Sequence, residues 1–312
     1  MNKFLEDVLS GLQSQPKQLQ SKYFYDETGD ILFQKIMQCE EYYLTNCEME
    51  IFKEQTTELA ETLQNGFTTF DLIELGAGDA TKSSYLIRQL IQNKASFTYY
   101  PIDISSHVIE DLEQHLPQKI EGLNVVGLNG EYFEMLTKAY EVSANRKVVL
   151  FMGANIGNMA PGEALEFCKA LRAHLAPDDL LLMGFDLKKH PHTIRAAYND
   201  KAGFTRAFNL NLLKRINREL SADFVPENFE HYPSYDPSTG ACKSYLVSLA
   251  DQEVQIGNEK LRFEKDEFIA MEISQKYTVQ EVESMALSSG FEIERNFFDQ
   301  KRWFMDSVWK CV

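Results

Sequence analysis

Between residues 67 and 186 short apolar runs alternate with stretches in which apolar residues return every three or four positions. A continuous or alternating apolar run builds a strand, and a 3.6-residue return builds one face of a helix. Phe70-Asp-Leu-Ile-Glu-Leu75 therefore predicts a strand and Gly76-Ala-Gly78 a tight turn. A helix over 81–91 follows, with Tyr85, Leu86 and Leu90 at helical spacing. Phe97 to Ile104 predicts the next strand, followed by a helix carrying Val108, Ile109, Leu112 and Leu116. Leu123 to Leu128 predicts a short third strand. Lys147-Val-Val-Leu-Phe-Met152 predicts a fourth, the near-continuous kind that is buried on both faces of a parallel sheet. Pro161 marks a helix start, with Ala164, Phe167, Leu171 and Leu175 on its inner face, and Leu180 to Phe185 predicts the fifth strand.

At the far end, 291–298 and 303–309 predict two antiparallel strands joined by a polar turn. Five parallel strands closed by such a hairpin describe an α/β, doubly wound, Rossmann-like sheet with a modified edge. The rhythm differs in residues 1–60 and 187–275, where helical stripes mix with aromatic loops; Phe4, Leu5, Val8, Leu9 and Leu12 form one such stripe. We expect a sheet domain over 47–186 and 277–312 and a discontinuous cap domain over 1–46 and 187–276.

The chain has 312 residues, 44% hydrophobic and 25% charged, which excludes wholesale disorder. Its 31 Lys+Arg against 47 Asp+Glu give a net charge of −16, and no basic run offers a surface for a phosphate backbone or an anionic membrane. DNA, RNA and membrane partners are not expected, and no obligatory protein partner is evident. Five scattered cysteines (Cys39, Cys47, Cys168, Cys242, Cys311) lack any CxxC or Cys/His ligand spacing. They suit free thiols in a reducing compartment, and with no signal-peptide pattern and no uncharged run of about 18 apolar residues the expectation is a cytoplasmic protein. The six histidines form no ligand pattern, so no metal is expected.

Candidate chemistry starts at Glu74-Leu-Gly76-Ala-Gly78, between a strand and a helix. Backbone free of Cβ lets a ligand approach closely, and the helix N-terminus offers unpaired N–H donors. A dinucleotide fingerprint wants Gly or Ala where Thr81 stands. Asp103, at the end of the second strand, can accept both ribose hydroxyls of a nucleoside, which NAD and S-adenosylmethionine (SAM) share. Three features resemble SAM-dependent methyltransferases and so favour SAM: the Glu74-led glycine turn, Gly130-Glu131-Tyr132 after the third strand, and the C-terminal hairpin. From chemistry alone Lys82 reads as a solvated helix residue.

On the substrate side, Phe151-Met-Gly-Ala-Asn-Ile-Gly-Asn158 ends the fourth strand with two amides, at the strand ends where open α/β sheets bind ligands. Asn158 reads as a substrate contact or as a turn residue capping the next helix. Tyrosines beside acids recur at Tyr25, Tyr42 and Tyr198, and Glu272 and Ser274 share one face of a predicted strand.

Taken together, Lys22-Tyr-Phe-Tyr25-Asp, Glu41-Tyr42-Tyr43-Leu-Thr, the glycine turn with Thr81-Lys82 and Gly153-x-x-Ile-Gly-Asn158 form an ordered series. Ala197-Tyr198-x-Asp-x-x-Gly203, Ala207-Phe-Asn-x-Asn211, Arg215-Ile-Asn-Arg-Glu-Leu-x-Ala-Asp223-Phe and Glu272-Ile-Ser274-x-Lys-Tyr continue it over nearly the whole chain. The series resembles the L-histidine-specific Nα-methyltransferases of ergothioneine biosynthesis. The resemblance implies a SAM-dependent methyltransferase sheet with a substrate-binding cap, making hercynine from histidine. It implies SAM contacts at Tyr25, Gly76, Gly78, Lys82 and Asp103, with Glu131 and Tyr132 at the adenine end. It places Tyr42, Asn158 and Tyr198 on the amino acid's α-amino and carboxylate groups, and Glu272 and Ser274 on the imidazole. Tyr198, with Tyr42, is the candidate to help remove the amine's proton.

Glu131 stands where the family pattern has aspartate, and Met271 and Lys243-Ser-Tyr245 depart from it, with Tyr245 expected to border the imidazole slot. Three alternatives stay open: the same chemistry on another amino acid such as tryptophan, an NAD-dependent oxidoreductase, and a non-catalytic SAM-binding protein.

Overall fold

The computed structural model describes residues 3–312; Met1 and Asn2, which open the expected cap domain, lie outside the described residues. The chain forms two compact units, one from residues 1–43 and 189–275, the other from 44–188 and 276–312. In chain order, the first unit begins with α1 (Lys3–Gln13), β1 (Lys17–Gln18) and α2 (Glu27–Met37). Then α3 (Tyr43–Glu54) and α4 (Thr56–Gln64) lead to β2 (Thr69–Leu75), α5 (Ser83–Gln92), β3 (Ser96–Asp103) and α6 (Ser106–Lys119). The two-residue β4 (Asn124–Val125) and β5 (Leu128–Asn129) precede α7 (Tyr132–Val142), β6 (Lys147–Phe151), α8 (Pro161–His174) and β7 (Leu180–Asp186). Next come α9 (Pro191–Ala197), α10 (Phe204–Leu220), β8 (Phe229–Asp236) and β9 (Ala241–Ser248). They are followed by β10 (Gln252–Ile256), β11 (Glu259–Phe263) and β12 (Phe268–Gln275). The chain ends in α11 (Val279–Ser288), β13 (Phe291–Phe298) and β14 (Phe304–Cys311).

The second unit is the expected doubly wound sheet. Its strands run in the order β13-β14-β7-β6-β2-β3-β4, with β5 also on β3. The strands from β7 to β4 are parallel, and β14 is antiparallel to both β7 and β13. β6 and β7 are buried at every position, the burial that a run such as Val148–Phe151 requires. Lys147 is the exception inside that run. Its ammonium donates to Asp71 Oδ2 at 2.8 Å and to the carbonyls of Ser143 and Asn145 at 2.7 Å each, so all three donors are satisfied.

Local differences from the sequence reading have local causes. The third strand is split into β4 and β5 because Gly127 N–H donates to Glu113 Oε1 at 2.7 Å instead of joining the ladder. Helix α5 starts at Ser83, two residues late, because Asp79 Oδ1 takes the Thr81 N–H and Ala80 sits at φ +52°. The last strand starts at Phe304, since Asp299 Oδ1 holds the N–H groups of Trp303 and Phe304 at 2.7 Å.

In the first unit a four-stranded sheet runs β1-β12-β9-β8 beside the hairpin β10–β11. Helix α10 buries Phe208, Leu212, Leu213, Ile216 and Leu220 in a core shared with Phe229, Leu246, Ile269 and Phe263. The expected stripe of α1 adds Phe4, Val8 and Leu12 to the same core, and each such side chain contributes about 2 kcal/mol through area removed from water.

His231 lies buried on β8 with Nε2 3.3 Å from Ser244 Oγ. Burial lowers its ring from 6.5 to about 4, only partly opposed by Asp200. The folded value lies below the unfolded one, so its contribution is complete above pH 6.5 and is lost as pH falls towards 4. From pH 7 to pH 5 the wild-type protein should lose about 2 kcal/mol more stability than His231→Gln in urea titrations. Parallel curves for the two proteins would refute this account.

Candidate active site

Donor-side residues gather at the carboxyl ends of the central strands. Gly76 N–H donates to Ile102 O at 2.8 Å, which seats the turn between β2 and β3. Gly76 has φ +72° and a Cβ there would stand 2.9 Å from the Tyr132 phenol oxygen, so conformation and space both demand glycine. Gly78 has φ +52° with open space around it. Beneath the turn, Glu74 is buried and accepts from Tyr99 Oη at 2.5 Å; burial raises its carboxyl to about 7.

Asp103 ends β3 with its carboxylate turned to the glycine turn. Oδ1 accepts the Ser105 N–H at 2.9 Å and Oδ2 a longer bond from Gly78 N–H at 3.4 Å. The Asp103 carbonyl in turn holds Gly130 N–H and the Asn129 side chain, both at 3.0 Å. One residue thereby fixes the ribose-type acid and the Gly130-Glu131-Tyr132 segment. Glu131 is exposed at the N-cap of α7. Tyr132 turns inward, with its ring edge-on to Phe151 and Phe167 at 5.8 and 6.5 Å and its phenol pushed by burial up to about 12.

Lys82, the N-cap residue of α5, is ion-paired with Glu48 of α3, whose other oxygen accepts the Gly153 N–H at 2.7 Å. Asn158 is exposed at the end of a short 3-10 turn spanning Asn155–Asn158. Helix α8 is closed without it, by Glu163 Oε2 accepting the Ala160 N–H at 2.9 Å. The sequence reading missed two residues here. Asn155 places its amide near both Gly76 and Gly153, and Glu48 sits under the strand ends. The amide-and-glycine run after β6 carried the signal for Asn155, whereas nothing local marks Glu48.

In the first unit, Tyr198 caps α9 and is buried, with its hydroxyl 2.6 Å from Ser274 Oγ. Asp200 accepts the N–H groups of Phe204 and Thr205 at 2.8 and 2.7 Å, tying this segment to the start of α10. Tyr42 meets Tyr198 edge to face at 6.3 Å and Phe33 at 6.2 Å. Phe33 and Phe208 both lie 5.6 Å from Tyr25. Five rings therefore run continuously from Tyr25 to Tyr198.

Glu272 owes its direction to a bulge. β12 pairs Ile269 with Leu246 and Ala270 with Tyr245, then shifts register so that Glu272 pairs with Ser244 and Ser274 with Cys242. Leu246, Ser244 and Cys242 share one face of β9, so Glu272 and Ser274 join the side that Ile269 occupies before the bulge. Tyr245 falls on the opposite face, packed edge-on against Phe268 at 5.1 Å. The expectation that Tyr245 borders the imidazole slot is thereby corrected, since strand alternation separates it from Glu272.

Among the described residues no His, Cys, Asp or Glu cluster could hold a metal ion, and no helix is long and apolar enough to cross a membrane. The residues at this end fit SAM: an acid able to accept ribose hydroxyls stands beside a turn that a Cβ would obstruct, with backbone N–H groups at the start of α5. This sheet, with its reversed β14 and that turn, is the fold of a SAM-dependent methyltransferase. Residues 4–311 match the family described as histidine-specific, SAM-dependent methyltransferases, and the chain belongs to it. It is 32% identical to the histidine N-alpha-methyltransferase of Mycobacterium tuberculosis, over 97% of this chain and 91% of that one. It is also 32% identical to ergothioneine biosynthesis protein 1 of Neurospora crassa, over 89% of this chain and 31% of that protein. With the L-tryptophan methyltransferase of Psilocybe serbica it shares 28%, over 94% of this chain and 89% of that one.

Gly76→Ala should destabilise the protein more than Gly78→Ala, whose cost is backbone strain of about 1 kcal/mol, and should weaken SAM binding at least tenfold in calorimetry. Equal effects from the two substitutions would show that the Tyr132 contact does not govern the turn.

Proposed function

We propose that the protein transfers methyl groups from SAM to the α-amine of free L-histidine, forming Nα,Nα,Nα-trimethylhistidine in ergothioneine biosynthesis. One observation carries the reading beyond family membership. The Tyr198 hydroxyl is 2.6 Å from Ser274 Oγ, and Glu272 lies on the same face of β12 as Ser274, which supports one pocket for the amine and the imidazole.

When bound, SAM supplies an electrophilic methyl on a sulfonium. The protein's own groups must deliver a neutral amine in line with it. Tyr42, Tyr198 and Asn158 hold the α-amino and carboxylate groups, and orientation of this kind supplies much of the rate. The amine loses its proton before attack, with Tyr198 assisting and solvent taking it onward. With its lone pair free, the amine would take the methyl that bound SAM would supply, leaving the C–S bonding pair on sulfur. Tyr42 and its neighbouring rings tolerate the positive charge that methylation fixes on nitrogen. Glu272 accepts one imidazole N–H and Ser274 meets the other ring nitrogen. Tyr25, Gly76, Gly78, Lys82, Asp103, Glu131 and Tyr132 attend the donor. The free thiols of all five cysteines suit the cytoplasm.

Incubation with SAM and the twenty amino acids, read by mass spectrometry, should find methyl groups on histidine alone. Methylated tryptophan in its place would favour the other amino-acid reading, and no methylated product would sink both. Glu272→Ala should weaken histidine binding at least tenfold and SAM binding less than twofold; unchanged affinities would remove Glu272 from the imidazole.

A further inference from the structure

Behind the glycine turn lies a buried charged group that the reaction does not account for. Glu48, with its side chain 1% exposed, is gripped by Lys82 through one oxygen and by Gly153 N–H through the other. Asp306, in the middle of β14, is fully buried, and neither of its oxygens meets a donor among the described residues. The two carboxyls flank one point: a Cβ on Gly184 would lie 2.7 Å from Glu48 Oε1 and 3.2 Å from Asp306 Oδ1. An ionised carboxylate only accepts hydrogen bonds, so two of them side by side in a dry interior need a proton between them.

We propose that Asp306 is a protonated acid donating to Glu48, and that the pair positions Lys82 and the Gly153 turn for the carboxylate end of the methyl donor. The assignment rests on the donor-site reading above. Burial first and Glu48 second hold Asp306 well above the usual carboxylate range, while Lys82 pulls the other way. Glu74 of β2 also feels both Lys82 and Glu48. With Asp306 neutral, Lys82 and Glu48 cancel, and the cluster presents a fixed ammonium without a net buried charge. Glu48 is thus a positioning residue, acting through Lys82 and through the backbone that follows β6.

The test measures dissociation constants of SAM and S-adenosylhomocysteine by calorimetry on the full chain, beside the KM for the amino acid. Asp306→Ala should weaken donor binding at least fivefold, and Asp306→Asn, whose amide can donate as the acid does, should restore it to within twofold. Glu48→Gln should weaken the donor about tenfold with the amino-acid KM within twofold. Added to Lys82→Gln, it should cause no further loss, because both act at one ammonium. Circular dichroism identifies any variant that fails to fold, and the Asn-against-Ala comparison at position 306 then carries the test alone. Losses at 48 and 82 that multiply, or Asn at 306 as damaging as Ala, overturn the proposal. Asp103→Ala serves as the control: if donor binding survives it, the donor-site reading fails first.

Discussion

A parallel sheet must reverse direction at the carboxyl ends of its strands, and here the reversal after β2 has to happen against a phenol. Tyr132 fills the space under Gly76, and Tyr132 is where it is because the Gly130 N–H is bonded to the carbonyl of Asp103. Asp103 in turn aims its carboxylate along the bonds from Ser105 and Gly78. The turn, the Asp103 carboxylate and the start of α7 are therefore one mechanical object, spread over three consecutive βα connections. Most of it is backbone.

The first unit reaches comparable rigidity by a different route, through one short acid. Asp26 accepts Gly29 N–H and the Asn211 amide at 2.7 and 2.8 Å and the Arg218 guanidinium at 2.5 Å. Burial pushes its carboxyl up, but Arg218, Gly29 and Asn211 outweigh that and hold it below the usual range. Arg215 adds bonds to the carbonyls of Tyr23 and Tyr25 at 3.0 and 3.3 Å. The polar stripe of α10 therefore anchors the 22–26 segment and with it Tyr25. Residues that look like a solvated helix face instead set where an aromatic wall stands, and that explains a polar face on a helix whose other side is core.

This contrast explains what could be read from the chain alone. Period and turn chemistry report local backbone, so the strands around Gly76, the hairpin 291–311 and the helix at Pro161 were legible to within a few residues. Asp103 was legible because its place at a strand end gives it a role. Glu48 was not: it lies in an amphipathic helix whose pattern has no reason to bury an acid, and its partners Lys82 and Gly153 are far along the chain. Tyr245 was misjudged for a related reason. Alternation along β9 is visible in sequence, but which face meets Glu272 depends on pairing with β12, and one extra residue there reverses the answer.

That bulge also shows how much of one strand face rests on a single residue. The glycine turn and the strand-end backbone around Asp103 lie wholly within the second unit. Glu272 and Ser274, the two positions proposed to meet the imidazole, lie on one strand whose direction is set by a single irregularity between Ala270 and Glu272. Without the irregularity, strict alternation would carry Met271 and Ile273 to the face that Glu272 and Ser274 now occupy, and an acid with its hydroxyl partner would be exchanged for two apolar side chains. The Tyr198 hydroxyl, whose partner is Ser274, would lose that bond in the same step. Which side chains β12 offers to that face is therefore a property of strand register, set by one residue.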